Sequence, residues 1–227
     1  MIACMTHPGT RSRPTCDRCW RPLATCICAL SRPTAHRTDV LVLQHPQEQR
    51  QAKNSVALLR LSLAHCQVVV GDRFEHDVLH TLLHPPGMAV RLLYPDVPAA
   101  PAPPAPELPP DVPLRLVVID ATWRKSLRML LEHPALAALP RIALTDPAPT
   151  RYRAIRAARR PDQVSTLEAT VQALAMLEGA VFDGTPLLEA FGRFVEREAG
   201  RRAAPIASGE RLHVGLGLQP PRGGRHH

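Results

Sequence analysis

The stretch VVIDATWRKSLRM, residues 117–129, decides the fold predicted for this chain. It continues an apolar run over residues 114–119, interrupted by one arginine, which is typical of a strand buried in a parallel sheet. The chain then turns at Asp120 into the helix-forming segment 124–132. An aspartate in this position lies at the carboxyl edge of the sheet, where open α/β folds bind ligands. Its carboxylate can also cap the following helix, and the turn alone favours that structural interpretation.

Strand-like and helix-like segments alternate on both sides of this turn. The sequence STLE matches a capping box, with Ser165 at the cap and Glu168 three residues later, and marks the start of one helix. The alternation predicts an α/β fold with a mostly parallel sheet flanked by helices. The predicted strands are residues 39–44, 67–71, 89–93, 114–119 and 141–145, and the predicted helices are residues 47–65, 74–83, 124–132, a helix from 165 onward and 186–199.

Changes in composition divide the chain into segments. Residues 1–36 contain four closely spaced cysteines and form a predicted N-terminal zinc-binding segment, while residues 37–200 form the predicted α/β domain. Within that domain, residues 97–113 are nearly all proline and alanine, which predicts an extended surface loop. Residues 201–227 are rich in glycine, proline and arginine, and are predicted to be a disordered basic tail.

The positive charge of the chain indicates which class of partner it binds. The 227 residues carry a formal net charge of +8 with a pI of about 9.8, which favours a polyanion, nucleic acid first and a membrane surface second. A solvated, arginine-rich surface is the alternative. No run of about 18 apolar residues occurs, and the first residues lack the apolar region of a secretory signal. We therefore expect a cytoplasmic protein without a membrane segment.

Four of the six cysteines lie in the sequence CDRCWRPLATCIC, at Cys16, Cys19, Cys26 and Cys28. A Cys-x-x-Cys turn presents two thiolates to one tetrahedral Zn²⁺, and the tighter Cys-x-Cys pair can reach the same ion. The spacing predicts a zinc knuckle with a structural zinc ion. Reduced thiols or a redox pair are the alternative, since a disulfide framework is not expected in the cytosol.

The chemistry stays open on these features alone. The chain has no glycine-rich phosphate loop, no Ser-His-Asp signature and no His-Glu-x-x-His site. The charge, the cysteine spacing and the alternation of strands and helices predict only a zinc-bearing α/β domain that binds RNA.

Six short motifs in a fixed order say more than any one of them. They are the cysteine pairs at 16–28, His45-Pro46-x-Glu48, Asn54-Ser55, Leu93-Tyr94-Pro95, Asp120-Ala121-Thr122-Trp123, and Arg151-Tyr152-Arg153 followed by Ser165-Thr166-Leu167-Glu168-Ala169. This series, over about residues 16–188, resembles the DTW-domain family, which is named for its Asp-x-Thr-Trp motif.

The resemblance implies a tRNA-uridine aminocarboxypropyltransferase. Such an enzyme transfers the 3-amino-3-carboxypropyl group of S-adenosylmethionine to N3 of a uridine in tRNA, and it forms acp3U and methylthioadenosine. The resemblance also implies a SPOUT-like fold with a knotted C-terminal region. Residues 37–200 then form the catalytic domain.

The same resemblance assigns site residues. Asp120 is predicted to be catalytic, as a base for the N3 proton or as a group that holds the cofactor's α-ammonium or orients the uridine. An aspartate with an ordinary pKa of about 3.9 is a weak base for an imide proton. The predicted cofactor-binding residues are Leu93, Tyr94, Pro95, Thr122, Trp123, Thr145, Ser165, Thr166 and Glu168, and the predicted RNA-binding residues are Arg151, Arg153, Arg156, Arg124 and Lys125.

Several alternatives stay open at this point. Core packing is an equal interpretation for Tyr94 and Trp123, helix capping for Ser165 and Glu168, and a solvated loop for the arginines. A SPOUT-type RNA methyltransferase and a non-enzymatic zinc-knuckle RNA-binding protein are the rival functions. The protein is either a monomer or a homodimer.

Overall fold

The structure of the protein, a computed structural model, describes residues 14–108, 111–144 and 164–203. The described residues contain a sheet of five strands: β1 Asp39–Gln44, β2 Cys66–Val70, β3 Ala89–Leu93, β4 Leu114–Asp120 and β5 Arg141–Ile142. Every neighbouring pair is parallel, and the strand order is β2-β1-β4-β3-β5. The predicted α/β fold with a mostly parallel sheet is confirmed.

Helices cover both faces of this sheet. One face packs against α2, α6 and α7 and the other against α3, α4 and α5, where the helices are α1 Pro46–Gln49, α2 Val56–Ser62, α3 His76–Leu83, α4 Trp123–Glu132, α5 Pro134–Ala137, α6 Thr166–Glu178 and α7 Thr185–Ala203.

The apolar strand sequences follow from this burial on both faces. Val40 and Val42 of β1 point into the core on the α2 side, whereas Leu41 and Leu43 point into the core on the α3 side, and all four are 0% exposed. A strand covered on both faces reads as a continuous apolar run instead of an alternation.

The carboxyl ends of β1 and β4 lie side by side. The register pairs Gln44 with Asp120, and the backbone N–H of His45 donates to the Asp120 carbonyl at 2.9 Å. This pairing brings together residues that are 76 positions apart in the chain. It sets the edge at which the candidate site is built.

The N-terminal cysteine segment packs on the α2, α6 and α7 side of the domain. Ile27, between two short 3₁₀ helices at Leu23–Thr25 and Cys28–Leu30, is fully buried in that core. Helix α7 holds the segment with polar contacts, since Arg197 donates to the Cys26 carbonyl and Arg201 to the Ala24 carbonyl, each at 2.8 Å.

The predicted long helix over residues 47–65 is wrong. The structure has α1 and α2 there instead, separated by residues 50–55. The Asn54 side chain accepts a hydrogen bond from the Val56 N–H at 2.9 Å. This bond satisfies the first backbone N–H of α2, and such local side-chain bonds compete with a continuous helix. Cys66, which follows that predicted helix, begins β2.

The proline- and alanine-rich loop is anchored at the domain surface. Its described residues contain no helix and no strand beyond an isolated bridge between Val97 and Ala100. The buried guanidinium of Arg91 donates to the Pro106 carbonyl at 2.6 Å. Among the described residues, no helix is long and apolar enough to cross a membrane.

Two predictions fall on residues that the structure does not describe. Residues 145–163, in the C-terminal part of the domain, lie outside the described residues, and the knotted C-terminal region stays a prediction. The predicted basic tail lies outside the described residues from 204 onward, while residues 201–203 form the last turn of α7.

Candidate functional site

A cleft of about 300 Å³ lies at the carboxyl ends of β1 and β4, and we name it the polar cleft. Charged and hydrogen-bonding side chains supply most of its walls. They come from α1 and the loop between α1 and α2, from the end of β4 and the turn into α4, from the first turn of α4, and from the start of α6. The lining residues are Glu48, Gln51, Lys53, Asn54, Ser55, Asp120, Thr122, Lys125, Ser165 and Thr166.

Asp120 is held in this cleft by two donors from different elements. Its Oδ2 accepts a hydrogen bond of 2.7 Å from Nε2 of Gln44, and its Oδ1 accepts one of 2.5 Å from Oγ1 of Thr166. Short hydrogen bonds to a carboxylate are among the strongest in proteins. The clamp therefore fixes the direction of the carboxylate and ties β1, β4 and α6 together.

The interpretation of Asp120 as the cap of the following helix is wrong. Asp120 is still the last residue of β4, and α4 begins three residues later at Trp123. Thr122 is the N-cap residue, and its own side chain makes no capping hydrogen bond. The hydrogen bonds described for the Asp120 carboxylate come from Gln44 and Thr166.

Charges of both signs meet at the mouth of the polar cleft. Nζ of Lys125 lies 3.5 Å from Oε1 of Glu48, and both side chains are mostly buried. His45 supports this arrangement by capping α1, since its Nδ1 accepts a hydrogen bond from the Gln47 N–H at 3.2 Å. Arg124, the other predicted RNA contact on α4, is exposed and does not line the polar cleft.

A second cleft of about 390 Å³ adjoins the first, and we name it the apolar cleft. The two share the wall formed by Ser165 and Thr166. Its other walls come mainly from aliphatic and aromatic side chains at the ends of β3, β4 and β5. The lining residues are Leu93, Tyr94, Pro95, Val118, Ile119, Ala121, Trp123, Ser126, Ile142, Leu144, Val164, Ser165, Thr166 and Ala169.

Two stacked rings distinguish the apolar cleft. The rings of Tyr94 and Trp123 have centroids 5.4 Å apart and an interplanar angle of 6°. Tyr94 is 5% exposed and its hydroxyl hydrogen-bonds to the Ser126 hydroxyl at 3.2 Å, whereas Trp123 is 56% exposed. Burial raises the pKa of the Tyr94 phenol. Core packing therefore describes Tyr94, but not Trp123.

The predicted capping box at the start of α6 is confirmed. Ser165 accepts from the Glu168 N–H at 3.1 Å, and the Glu168 carboxylate accepts from the Ser165 N–H at 2.9 Å. Ser165 lines both clefts, while Glu168 is buried in the box and lines neither.

The clefts bring together most of the predicted site residues. Leu93, Tyr94, Pro95 and Trp123 line the apolar cleft, and Asp120, Thr122 and Lys125 line the polar cleft. Some predicted residues lie outside the described part of the chain, namely Thr145, Arg151, Arg153 and Arg156.

Sequence reasoning missed Gln44 and underrated the loop that carries Lys53. A glutamine at the end of the apolar strand DVLVLQ is the sequence signal that could have revealed Gln44, which is only 2% exposed in the structure. Gln51 and Lys53 enter the polar cleft only because the predicted helix is broken there. The aliphatic wall of the apolar cleft from β5 onward, Ile142 and Leu144, carried no distinguishing signal.

The four N-terminal cysteines form one cluster. Their Sγ atoms all lie within 4.8 Å of one another, with separations of 3.6 Å for Cys16–Cys28 and 3.7 Å for both Cys19–Cys26 and Cys16–Cys26. Tetrahedral Zn–S bonds of about 2.3 Å place sulfur atoms roughly 3.8 Å apart. The donor set therefore fits a zinc ion, and the separations are far too long for disulfide bonds.

Two thiols of the cluster differ in their surroundings. Backbone hydrogen bonds from Cys19 and Arg18 lower the pKa of the Cys16 thiol to about 6. Burial raises the pKa of the Cys28 thiol to about 12. A turn that lowers the pKa of Cys16 suits the thiolate form that metals bind.

These features define a class of protein: a parallel α/β domain with paired clefts at its carboxyl edge and a four-cysteine cluster. Comparison with known proteins gives the family, because the DTW domain matches residues 13–199. The chain belongs to the DTW domain family. No solved structure matches it.

The similar proteins from animals and a plant are all named tRNA-uridine aminocarboxypropyltransferases. The chain is 33% identical over 186 residues to tRNA-uridine aminocarboxypropyltransferase 2 of Drosophila melanogaster, which covers 78% of this chain and 72% of that protein. It is 29% identical over 179 residues to the Macaca fascicularis protein of that name, covering 76% and 59%. It is 32% identical over 137 residues to tRNA-uridine aminocarboxypropyltransferase A of Arabidopsis thaliana, covering 52% and 50%. The chain thus spans between half and three quarters of these relatives' lengths.

Proposed function

We propose that this protein transfers the 3-amino-3-carboxypropyl group of S-adenosylmethionine to N3 of a uridine in tRNA. The observation that carries the proposal is the junction of the two clefts at the hydrogen bond between Asp120 and Thr166. Membership of the DTW family and the names of the relatives support the same reaction.

The two clefts differ in the way that the two ends of S-adenosylmethionine differ. The exposed Trp123 ring and the aliphatic wall of the apolar cleft suit the adenosine end. The amino-acid end is zwitterionic, and the polar cleft offers the carboxylates of Asp120 and Glu48 to its ammonium group and the ammonium group of Lys53 to its carboxylate. When bound, this molecule supplies an electrophilic γ-carbon next to its sulfonium.

The residues at the junction position the reacting atoms. The uridine N3 forms a bond to the γ-carbon while the bond from that carbon to sulfur breaks, and sulfur keeps the electron pair in methylthioadenosine. The N3 proton passes to a carboxylate of the polar cleft. Choosing the γ-carbon over the methyl carbon depends on alignment, which is the task we assign to the clamped Asp120.

The experiment that tests this function uses the full chain, S-adenosylmethionine and unmodified tRNA. Mass spectrometry of the digested nucleosides should show uridine carrying an aminocarboxypropyl group. A methyl adduct would identify an RNA methyltransferase instead. An RNA complex with no adduct would identify a binding protein without this activity.

We also propose that the cysteine cluster holds a structural zinc ion. Elemental analysis of protein purified under reducing conditions without chelator should find about one zinc per chain. Cys16→Ser should lower the zinc content, and it should weaken tRNA binding more than cofactor binding. Cys66→Ser is the matched control, because Cys66 is a free cysteine outside the cluster and partly buried at the start of β2. A zinc-free wild-type protein would contradict the assignment.

The proposal also covers RNA binding, the C-terminal region and the location of the protein. Arg151, Arg153 and Arg156 contact tRNA phosphates, together with Arg124 and Lys125. The C-terminal region is SPOUT-like and knotted, as the family resemblance implies. The protein works in the cytoplasm, where thiols such as those of the cluster stay reduced.

A further inference from the structure

We propose that a surface formed by Trp20, Arg18 and Arg60, named here the Trp20 face, binds unpaired nucleotides of the RNA substrate next to the target uridine. One base stacks on the indole of Trp20, the exposed Arg18 meets the phosphates, and Arg60 supports the ring. The inference rests on the proposed tRNA substrate and adds a docking surface outside the two clefts.

The backbone holds Trp20 in an unusual conformation. Trp20 has a φ of +58°, and no other described residue except glycine has a positive φ. The turn is closed by the Trp20 N–H donating to the Cys16 carbonyl and the Cys16 N–H donating to the Arg21 carbonyl, both at 2.8 Å. Left-handed backbone disfavours a bulky side chain, and glycine would suit this turn better. A tryptophan kept there and 48% exposed points to a role for the ring itself.

Arg60 of α2 fixes the orientation of that ring. Its guanidinium carbon lies 3.8 Å from the centroid of the Trp20 ring, and its Nη2 donates to the Arg18 carbonyl. A cation over one face of an indole is a favourable contact. The ring is therefore supported by a positive charge while nearly half of the residue stays exposed, which is the arrangement of a rigid stacking platform.

The Trp20 face adjoins the polar cleft. A small hollow of about 30 Å³ is lined by Trp20 and Arg60 together with Gln51 and Asn54, and the last two also line the polar cleft. Gln44 lines the same hollow, and its amide bonds Asp120. A strand of RNA whose uridine enters the polar cleft on this side would pass over Trp20.

The chemistry of the face fits RNA. Stacking on an aromatic ring accepts every base, and arginine charges attract phosphates regardless of sequence. An exposed, positively supported indole next to a site for uridine thus matches a single-stranded segment. The alternative is that the Trp20–Arg60 contact only attaches the cysteine segment to α2.

The first test compares Trp20→Ala with two matched variants. Trp20→Ala should weaken tRNA binding about tenfold, and Trp20→Phe should restore most of it, because phenylalanine keeps a ring for stacking. Leu23→Ala is the control, since Leu23 is a 55% exposed apolar side chain in the same segment and does not line the hollow. Zinc content and S-adenosylmethionine affinity should be unchanged in all three. Equal tRNA affinity for the Trp20→Ala and Leu23→Ala proteins would overturn the proposal.

The second test leaves Trp20 in place, so it holds even where Trp20→Ala loses zinc or unfolds. The chain has two tryptophans, and Trp123→Phe makes Trp20 the only one. Titration of this variant with a single-stranded oligouridylate should quench the fluorescence of Trp20. Adding Arg18→Gln to the variant should shift the titration to higher RNA concentration. Unchanged emission at saturating RNA would refute stacking. If the wild-type protein forms the nucleoside product but the Trp123→Phe variant shows no quenching, this inference alone is refuted. If the variant shows quenching but the wild-type protein forms no product, only the proposed reaction is refuted.

Discussion

The polar and the apolar cleft share one wall yet differ in almost everything else. Both meet at Ser165 and Thr166, but Glu48, Lys53 and Asp120 line only the first, and an aromatic pair lines only the second. Strand order explains the difference, because β4 lies between β1 and β3. The β1 side of its end receives the polar loop after α1, and the β3 side receives the aliphatic ends of β3 and β5.

This division shows how one strand end can serve two kinds of surface. The last residue of β4, Asp120, faces the polar side, while Val118 and Ile119 just before it line the apolar side. The start of α6 lies between the two clefts, and its Thr166 hydroxyl binds the carboxylate. Under the proposed function, the apolar cleft receives the adenosine end of the cofactor and the polar cleft its amino-acid end, so both surfaces have to meet at this shared wall.

The largest effect is expected from Asp120→Asn, which removes the charge at the junction. Asparagine keeps the size, and rotation of the Gln44 amide can present its oxygen to the new NH₂ group, so the fold should survive. Turnover should fall by about 10²-fold or more because alignment at the reacting atoms is lost. Transfer rates measured by nucleoside mass spectrometry check this.

Asp183→Asn is the control for that variant, since Asp183 is exposed in the turn before α7, where it accepts from the Thr185 N–H. Near-wild-type turnover of a folded Asp120→Asn protein would mean that the polar cleft contributes shape but not charge.

Trp123→Ala should mainly affect the apolar cleft. Loss of an exposed ring stacked on Tyr94 should weaken S-adenosylmethionine binding about tenfold, which corresponds to the upper end of an aromatic contact. Isothermal titration would measure it. Leu131→Ala removes a 48% exposed side chain from the same helix away from both clefts and should leave the affinity unchanged. If both variants bind the cofactor like wild type, the adenosine end lies elsewhere.

Lys125→Gln tests whether the polar cleft also meets RNA. If Lys125 contacts one phosphate, the slope of log affinity against log salt should become shallower by about 0.9. Filter binding over a salt series measures the slope, and cofactor affinity should stay the same. A drop in cofactor affinity with an unchanged slope would assign Lys125 to the cofactor's carboxylate instead.

The smallest effect is expected from Ser165→Ala, at the wall that both clefts share. Removing the capping hydroxyl should cost about 1 kcal/mol of stability and lower Tm by roughly 2–4 °C. Calorimetry should separate this from Thr81→Ala, which removes an exposed hydroxyl from helix α3 without removing a cap. An unchanged Tm for Ser165→Ala would show that the box contributes nothing to the fold.

The sheet was readable from the sequence because its strands are buried on both faces. Continuous apolar runs such as those of β1 and β4 have few other interpretations, and their predicted bounds agree with the structure to within one residue. The capping box of α6 was equally clear, since its two partners are three residues apart. Local patterns thus predicted local elements.

The two clefts were not readable in the same way. Their division depends on which strands are neighbours, and periodicity gives the direction of a strand's faces but not its partners. Gln44 gained its role only from the register that sets it beside Asp120. The break before α2 is marked by one asparagine side chain that bonds the first N–H of α2, within a helix pattern that otherwise continues in the sequence.

The contacts between the cysteine segment and α7 have a consequence for the chain as it is made. Arg21 forms an ion pair of 3.1 Å with Glu198, a residue 177 positions later. At ribosomal rates of about 5–20 residues per second, roughly 10–35 s separate the synthesis of these two partners. During that interval the four nascent cysteines lack the helix that they pack on. If the proposed zinc ion binds as the segment emerges, it would hold the cysteines together until α7 is made, so zinc supply during translation should affect the yield of correctly assembled protein.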